Sequence, residues 1–285
     1  MAAAATAAVS LLLAGAPLAL AQAVDSGPAA LQAKYASLKA ALDNNPFKRQ
    51  LVLESREGDD RLAGDIYAVV EHPFADVAQR LQTPAAWCEV LMLHLNTKNC
   101  SVRGSGDQRA VSVALGRKFD QPLADAQEVA FAFRLATASA DDLDVRLSAD
   151  SGPLSTRDYR IELSATPIAE GRTFIHLGYS YAYGTAARLA MKGYLATLGS
   201  DKVGFTREGP TGFIGGVRGV VERNTMRYYL AIDAYLDAPG ASQLDARLGG
   251  WFDATEQYAR QLHEIDRGDY LAMKRHEFER MRGGK

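Results

Sequence analysis

The chain has 285 residues, 47% of them hydrophobic, with two cysteines, five histidines and a formal net charge of −2. This balance gives no basic footprint for nucleic acid and no polybasic attraction to anionic lipid. The histidines show no His-x-x-x-His spacing and the cysteines no Cys-x-x-Cys spacing, so neither a metal nor another cofactor is expected.

Met1 to Ala23 contains no charged side chain and runs through Leu11, Leu12 and Leu13 to the small-residue patterns Ala19-Leu20-Ala21 and Ala21-Gln22-Ala23. That pattern reads as a secretory signal over 1–23, cleaved after Ala21 or Ala23, although the usual basic start is missing. A membrane anchor is the rival reading, but the apolar run is short and broken by Gly15 and Pro17. The expected mature chain is periplasmic, has no integral membrane span, and is large enough for one domain with an ample core.

A helical lead-in over 24–47 follows, with Leu31, Tyr35, Leu38 and Leu42 on one stripe and Asn44-Asn45-Pro46 ending it. Gln50–Glu57 and Arg61–Glu71 form a predicted hairpin around Gly58-Asp59-Asp60, with Ile66, Ala68 and Val70 on one face. Pro73 opens a helix carrying Phe74, Val77 and Leu81, and Thr83-Pro84 opens another over Ala85–Leu93 with Trp87, Val90 and Leu91. Strands return at Leu95–Arg103 and at Arg109–Lys118, where Val111, Val113 and Leu115 point inward.

Four segments then alternate with period two: Val129 to Leu135, Leu143 to Leu147, Tyr159 to Leu163, and Ile175 to Tyr181. Arg134, Arg146, Arg160, Glu162 and His176 hold the opposite parity, which predicts an antiparallel sheet with one apolar face and one wet face. Two strands, two short helices, about six strands and a helix make an α+β domain rather than alternating βαβ units.

Thr185–Leu198 is a further predicted helix. Gly212, Gly215, Gly216 and Gly219 fall at helical spacing and predict close backbone packing; no strand leads into a nucleotide-binding Gly-x-Gly-x-x-Gly pattern here. A long helix runs to Leu236 and is stopped by Pro239-Gly240, with Phe213, Val217, Val220, Tyr228, Ala231 and Tyr235 on its apolar stripe. Asn224 is the one polar side chain in that stripe and must bond water, backbone or a ligand head. Arg218 and Glu222 read as a solvated i,i+4 pair. A helical appendage over 238–285 has two stripes, one with Leu244, Leu248 and Phe252, the other with Tyr270, Met273 and Phe278.

Cys88 and Cys100, in an exported chain, most simply form one disulfide between the second helix and the following strand. A reactive thiol served by His94 is the alternative, and an oxidising compartment would cap it.

The element order from Lys48 to Leu236 resembles the START-like, or SRPBCC, superfamily. The residues that carry the likeness are the strand-to-helix run from Gly64 through Glu71-His72-Pro73-Phe74 to Val77, then Pro84-Ala85-Ala86-Trp87, and the long terminal helix with its preceding glycines. The resemblance implies a helix-grip fold over 48–237, a curved antiparallel sheet wrapped around a long C-terminal helix, with an apolar cavity between them. Its expected ligand-binding wall comprises Trp87, Val113, Phe131, Phe133, Val145, Tyr159, Ile161, Leu177, Tyr179, Tyr181, Val217, Val221, Asn224 and Tyr228. The tyrosines either donate phenolic hydrogen bonds there or fill the core.

The function expected is a periplasmic carrier or sensor for a hydrophobic small molecule or lipid, more plausibly binding than catalytic. A cavity enzyme of the cyclase, dehydratase or hydrolase kind would need an inward titratable residue with a perturbed pKa. An envelope interaction module acting through the C-terminal appendage is a third reading. Nucleic acid is not an expected partner.

Overall fold

The computed structural model describes residues 27–184, 202–210 and 212–283, together with Arg188, Leu189 and Gly193. The signal expected over 1–23 and most of the helix expected over 185–198 lie outside the described residues.

Helix α1 (Pro28–Asp43) leads into the hairpin β1 (Leu51–Glu57) and β2 (Arg61–Val70), then α2 (Phe74–Leu81) and α3 (Pro84–Leu91). Six strands follow: β3 (Thr97–Arg103), β4 (Ala110–Leu115), β5 (Gln127–Ala138), β6 (Leu143–Ser151), β7 (Thr156–Ile168) and β8 (Arg172–Tyr183). They form one antiparallel sheet in the order β1-β2-β8-β7-β6-β5-β4-β3. A meander from β3 to β8 therefore closes onto β2 of the first hairpin, with α2 and α3 carrying the chain from β2, one strand in from the β1 edge, to β3 at the other edge.

A two-stranded ribbon, β9 (Arg207–Glu208) and β10 (Gly212–Phe213), precedes the long helix α4 (Gly216–Asp237). Phe213 is thus a ribbon residue and not part of the helical stripe. The helix starts at Gly216, whose φ of 61° suits glycine, and ends just before Pro239-Gly240.

Strand parity sets the inner core: Val129, Leu143, Val145, Leu147, Leu163 and Leu177 are buried, whereas Arg134, Arg146 and Arg160 are exposed. The outer face is not uniformly wet, which corrects the one-sided expectation. Val69 and Phe174 have outward parity and pack with Leu31 and Leu42 of α1 as a second, small core joined by Tyr35, Val52, Tyr67 and Ile168. An apolar run such as Ala68-Val69-Val70 fits a strand covered on both sides.

Helix α4 lies across β2, β1 and β8. At its closest approach, a Cβ on Gly64 would stand 2.3 Å from Thr225 Oγ1, so β2 admits the helix only because residue 64 has no side chain. The far side of α4 is covered by α5 (Leu244–Glu256), and α6 (Ala259–Leu262) and α7 (Arg267–Gly283) follow. Trp251, Phe252, Tyr270, Met273 and Phe278 join the main core, and α7 packs on edge strand β3. Covering an edge strand removes a row of unpaired backbone groups.

Double coverage explains why α4 buries charged residues as well as apolar ones. Glu222, expected in a solvated pair, is wholly buried and accepts hydrogen bonds from Ser55 Oγ (2.5 Å), Phe205 N (2.5 Å), Thr206 N (2.9 Å) and Thr206 Oγ1 (2.7 Å). Arg218 stands 4.0 Å from it and donates to Ser55 Oγ instead. The Gly204 and Gly219 backbones meet beside this knot.

Candidate functional site

Because α4 sits toward the β1–β2–β8 end, the sheet curls past it and leaves a space between the helix and β4, β5 and β7. The resulting cavity measures about 620 Å³, within the range of sites that hold small organic molecules. Its walls are Leu91 from α3, Val113 and Leu115 from β4, Phe131 from β5, Tyr159 and Ile161 from β7, Tyr179 from β8, and Asn224 and Tyr228 from α4. The turns Gly116–Gln127 and Pro153–Leu154 contribute the remaining rim, including Arg117, Gln121 and Asp125. Leu154 is 65% exposed and holds a left-handed φ of 55°, which an apolar side chain rarely adopts.

Of the wall expected from sequence, Val113, Phe131, Tyr159, Ile161, Tyr179, Asn224 and Tyr228 line the cavity. The others do not reach it. Trp87 is buried at the helix corner, its indole N–H donating to Leu81 O at 2.9 Å. Phe133, Val145, Leu177 and Val221 are solid core, Val217 packs partly buried against that core, and Tyr181 stacks behind Tyr159 with ring centroids 5.3 Å apart. Inward parity selects the correct face of a strand but not the stretch of that face left uncovered by the helix.

Cys88 and Cys100 form a disulfide that ties α3 to β3, with Cα atoms 5.4 Å apart. The bond leaves no thiol for His94 to activate.

His94 is a cavity residue that periodicity does not single out. It lies in the run Val90-Leu91-Met92-Leu93-His94-Leu95, and the signal that marks it is a lone titratable side chain in an otherwise apolar run. The ring lines the cavity and packs on Tyr228 at 5.1 Å between centroids. Nδ1 accepts from Asn96 N at 3.2 Å, which places the proton on Nε2. Nε2 is buried and has no hydrogen-bond partner among the described residues.

Burial, and then the charges of Arg227, Lys274, Lys118 and Lys98, hold His94 well below the usual imidazole range, so it is neutral at pH 7. Those cations belong to two ion-paired groups around carboxylates of the C-terminal segment, Glu277 on α7 and Glu264 on the link between α6 and α7, the first group wholly buried. Glu277 takes Lys98 (3.0 Å) and Lys274 (2.7 Å), while Glu264 takes Arg227 (2.9 Å) and Lys118 (2.7 Å). Lys274 also donates to the carbonyls of His94 and Thr97, fixing the segment that carries the imidazole.

The phenols respond to the same apolar surroundings. Burial pushes Tyr179 well above the ordinary tyrosine range and raises Tyr228 and Tyr159, so all three are neutral hydrogen-bonding groups. Tyr159 is engaged, donating to Thr156 Oγ1 at 2.6 Å.

His176, on the outer face as its parity requires, pairs with Asp65 at 2.9 Å and stacks on Tyr67 at 4.4 Å. It takes no part in the cavity. Among the described residues no cluster of metal-ligating side chains occurs, and no helix is long and apolar enough to cross a membrane.

No protein-family model and no curated protein matches the chain. Solved structures similar to it include human StAR-related lipid transfer protein 5, at 7% identity over 74% of this chain and 96% of that one, with a TM-score of 0.36. Norcoclaurine synthase from Thalictrum flavum is 14% identical over 52% and 83% of the two chains, with a TM-score of 0.33. A hypothetical protein from Helicobacter pylori is 13% identical over 63% and 89%, with a TM-score of 0.39. The element order and the sheet curved around α4 define the architecture directly. The fold is a helix grip. Such a fold fixes the place of the cavity and leaves its occupant to the side chains that line it.

Proposed function

We propose that this protein binds a hydrophobic small molecule in the cavity between the sheet and α4. The observation that carries the reading is the combination of an apolar wall, from Leu91, Val113, Phe131 and Ile161, with a buried imidazole N–H that has no hydrogen-bond partner among the described residues. An unmade hydrogen bond at such a place costs free energy in the empty protein that a bound acceptor restores. The expected leader and the disulfide between Cys88 and Cys100 support an exported, periplasmic carrier or sensor.

Native mass spectrometry of the purified mature chain, followed by organic extraction, tests this reading. A reproducible mass increment that extraction removes supports it. A homogeneous bare mass that stays unchanged after incubation with lipid extract overturns it.

A catalytic reading draws on the same residue, because His94 is an inward titratable group with a displaced pKa. It is the weaker reading. A conjugate acid held far below neutrality makes a feeble general base, and the tyrosines beside it are pushed away from neutrality as acids.

A further inference from the structure

We infer that the cavity selects a ligand with an aromatic ring that carries an oxygen acceptor, the oxygen taking the N–H of His94 Nε2 and the ring lying against Tyr228, Tyr179 and Phe131. This rests on the cavity being a binding site and specifies which chemistry it selects.

The acceptor follows from His94. Its Nδ1 accepts from Asn96 N at 3.2 Å, so the neutral imidazole presents Nε2 as a donor only. Nε2 is buried with no hydrogen-bond partner among the described residues, and the ring borders the cavity, so an acceptor held in the cavity completes it. Tyr228, whose ring packs on His94, and Tyr179 make no hydrogen bond through their hydroxyls among the described residues, and burial keeps both phenols protonated. An oxygen with two lone pairs thus finds an imidazole N–H and phenol O–H groups on the same wall. The neighbouring surface is polar as well: Asn96 Nδ2 donates to Gly116 O at 2.7 Å and Gly116 N to Asn96 O at 2.7 Å, which sets the turn with Arg117 and Gln121 beside His94.

The ring follows from the remainder of the wall. Besides the imidazole, Phe131, Tyr159, Tyr179 and Tyr228 border the cavity. Tyr228 meets Tyr179 at 5.2 Å and 59°, Phe131 meets Tyr159 at 6.1 Å and 81°, and Tyr181 packs against both Tyr159 and Tyr179. Rings held at such different tilts offer faces and edges to a guest. An aromatic guest gains stacked or edge-to-face contacts that a saturated one of the same shape does not, about 0.5–1.5 kcal/mol beyond area burial, which converts to roughly 2- to 10-fold in affinity.

The experiment is displacement of the fluorescent reporter N-phenyl-1-naphthylamine from the mature protein by methyl naphthyl ketone, by ethylnaphthalene, which lacks the oxygen, and by methyl decalyl ketone, whose rings are saturated. Each affinity is divided by the compound's cyclohexane–water partition coefficient. That removes hydrophobicity and, because cyclohexane makes no hydrogen bonds, leaves the bond gained in the site. On this scale methyl naphthyl ketone is expected to exceed ethylnaphthalene by at least about 10-fold and methyl decalyl ketone by at least about twofold. The infrared carbonyl band of bound methyl naphthyl ketone, read as the difference between isotope-labelled and unlabelled compound, should lie below its position in cyclohexane. In His94→Phe, which keeps an aromatic ring and removes the donor, the band should move back toward that position.

The measurements on the unsubstituted protein are decisive by themselves, whether or not the variant folds. Equal scaled affinities of methyl naphthyl ketone and ethylnaphthalene, or a carbonyl band at the cyclohexane position, overturn the acceptor. Equal scaled affinities of the two ketones overturn the aromatic ring, and a band that the substitution does not move overturns His94 as the donor. Each of these leaves the cavity as a binding site; absence of binding by the reporter and all three compounds overturns that reading too.

Discussion

Replacing Glu222 should separate a buried structural anion from an ordinary helix-surface carboxylate. In Glu222→Ala, the N–H groups of Phe205 and Thr206 and the hydroxyls of Ser55 and Thr206 lose their acceptor. The hydroxyls can turn, and Ser55 Oγ keeps its bond from Arg218. The two backbone donors cannot turn, and each unsatisfied buried donor costs about 1–3 kcal/mol. Adding the loss of a charged acceptor, the expected destabilisation is about 3–5 kcal/mol, as for breaking other buried charged networks. Glu222→Gln retains one oxygen for the two N–H groups and turns its amide toward hydroxyls that can accept, so it should cost only about 1–2 kcal/mol. Urea denaturation followed by tryptophan fluorescence measures both. If the alanine variant lies within about 1 kcal/mol of the parent, or the two variants are equally damaged, Glu222 does not anchor the link through Phe205.

The remaining expectations concern other points of the frame. Reduction, or Cys88→Ala with Cys100→Ala, reopens a loop with a sequence separation of 12; the loss should be about 3 kcal/mol in the chain-entropy model, read from denaturant midpoints with and without reductant. Burial lowers the Lys274 ammonium to about 8 despite its pairing with Glu277, against an ordinary value of 10.5. Between those values the unfolded chain holds a proton that the folded one has released, so stability should rise with pH from about 8 to 10.5, and Lys274→Met should flatten that rise in denaturant midpoints measured across that range. Gly64→Ala places a methyl against Thr225 Oγ1, and overpacking there should cost about 1–3 kcal/mol by thermal or denaturant unfolding.

Much of the frame can be read from parity and punctuation. Strands such as Val129–Leu135 and Ile175–Tyr181 alternate strongly enough that only one face can be buried, and turns such as Glu170-Gly171, both with positive φ, mark where each strand reverses. The order of elements then yields an antiparallel sheet and a final helix. Hidden from that reading are charged residues held in place by elements distant in sequence. Nothing in the sequence pattern marks Lys98, Lys274 or Glu277 for burial, and only the packing of α7 on β3 removes all three from water. Glu222 reads as half of an i,i+4 pair because its real partners sit on β1 and on the link through Phe205.

The site is legible in part for the same reason. Alternation places Phe131, Tyr159, Ile161 and Tyr179 on the inner face, and Asn224 stands out as a polar residue in an apolar stripe. It does not reveal where the helix ends its grip, and so cannot distinguish the cavity wall at Ile161 from the solid core at Val145 and Leu177. His94 follows α3 outside any periodic element, and an Nε2 with no hydrogen-bond partner among the described residues emerges only when Asn96 has claimed Nδ1 and Lys274 of α7 has bonded the carbonyl of His94.

If the space bounded by Val113, Phe131, Ile161 and α4 is a ligand site, filling it with protein should abolish binding and leave the fold intact. A fluorescence titration with N-phenyl-1-naphthylamine on the parent protein and on Ile161→Trp, whose added ring enters the cavity from β7, tests this without knowledge of the natural ligand. Saturable one-to-one binding by the parent is expected, with at least a 10-fold loss in the variant and its thermal transition retained. Equal binding by parent and variant, or no saturable binding by the parent, would contradict a ligand site in this cavity.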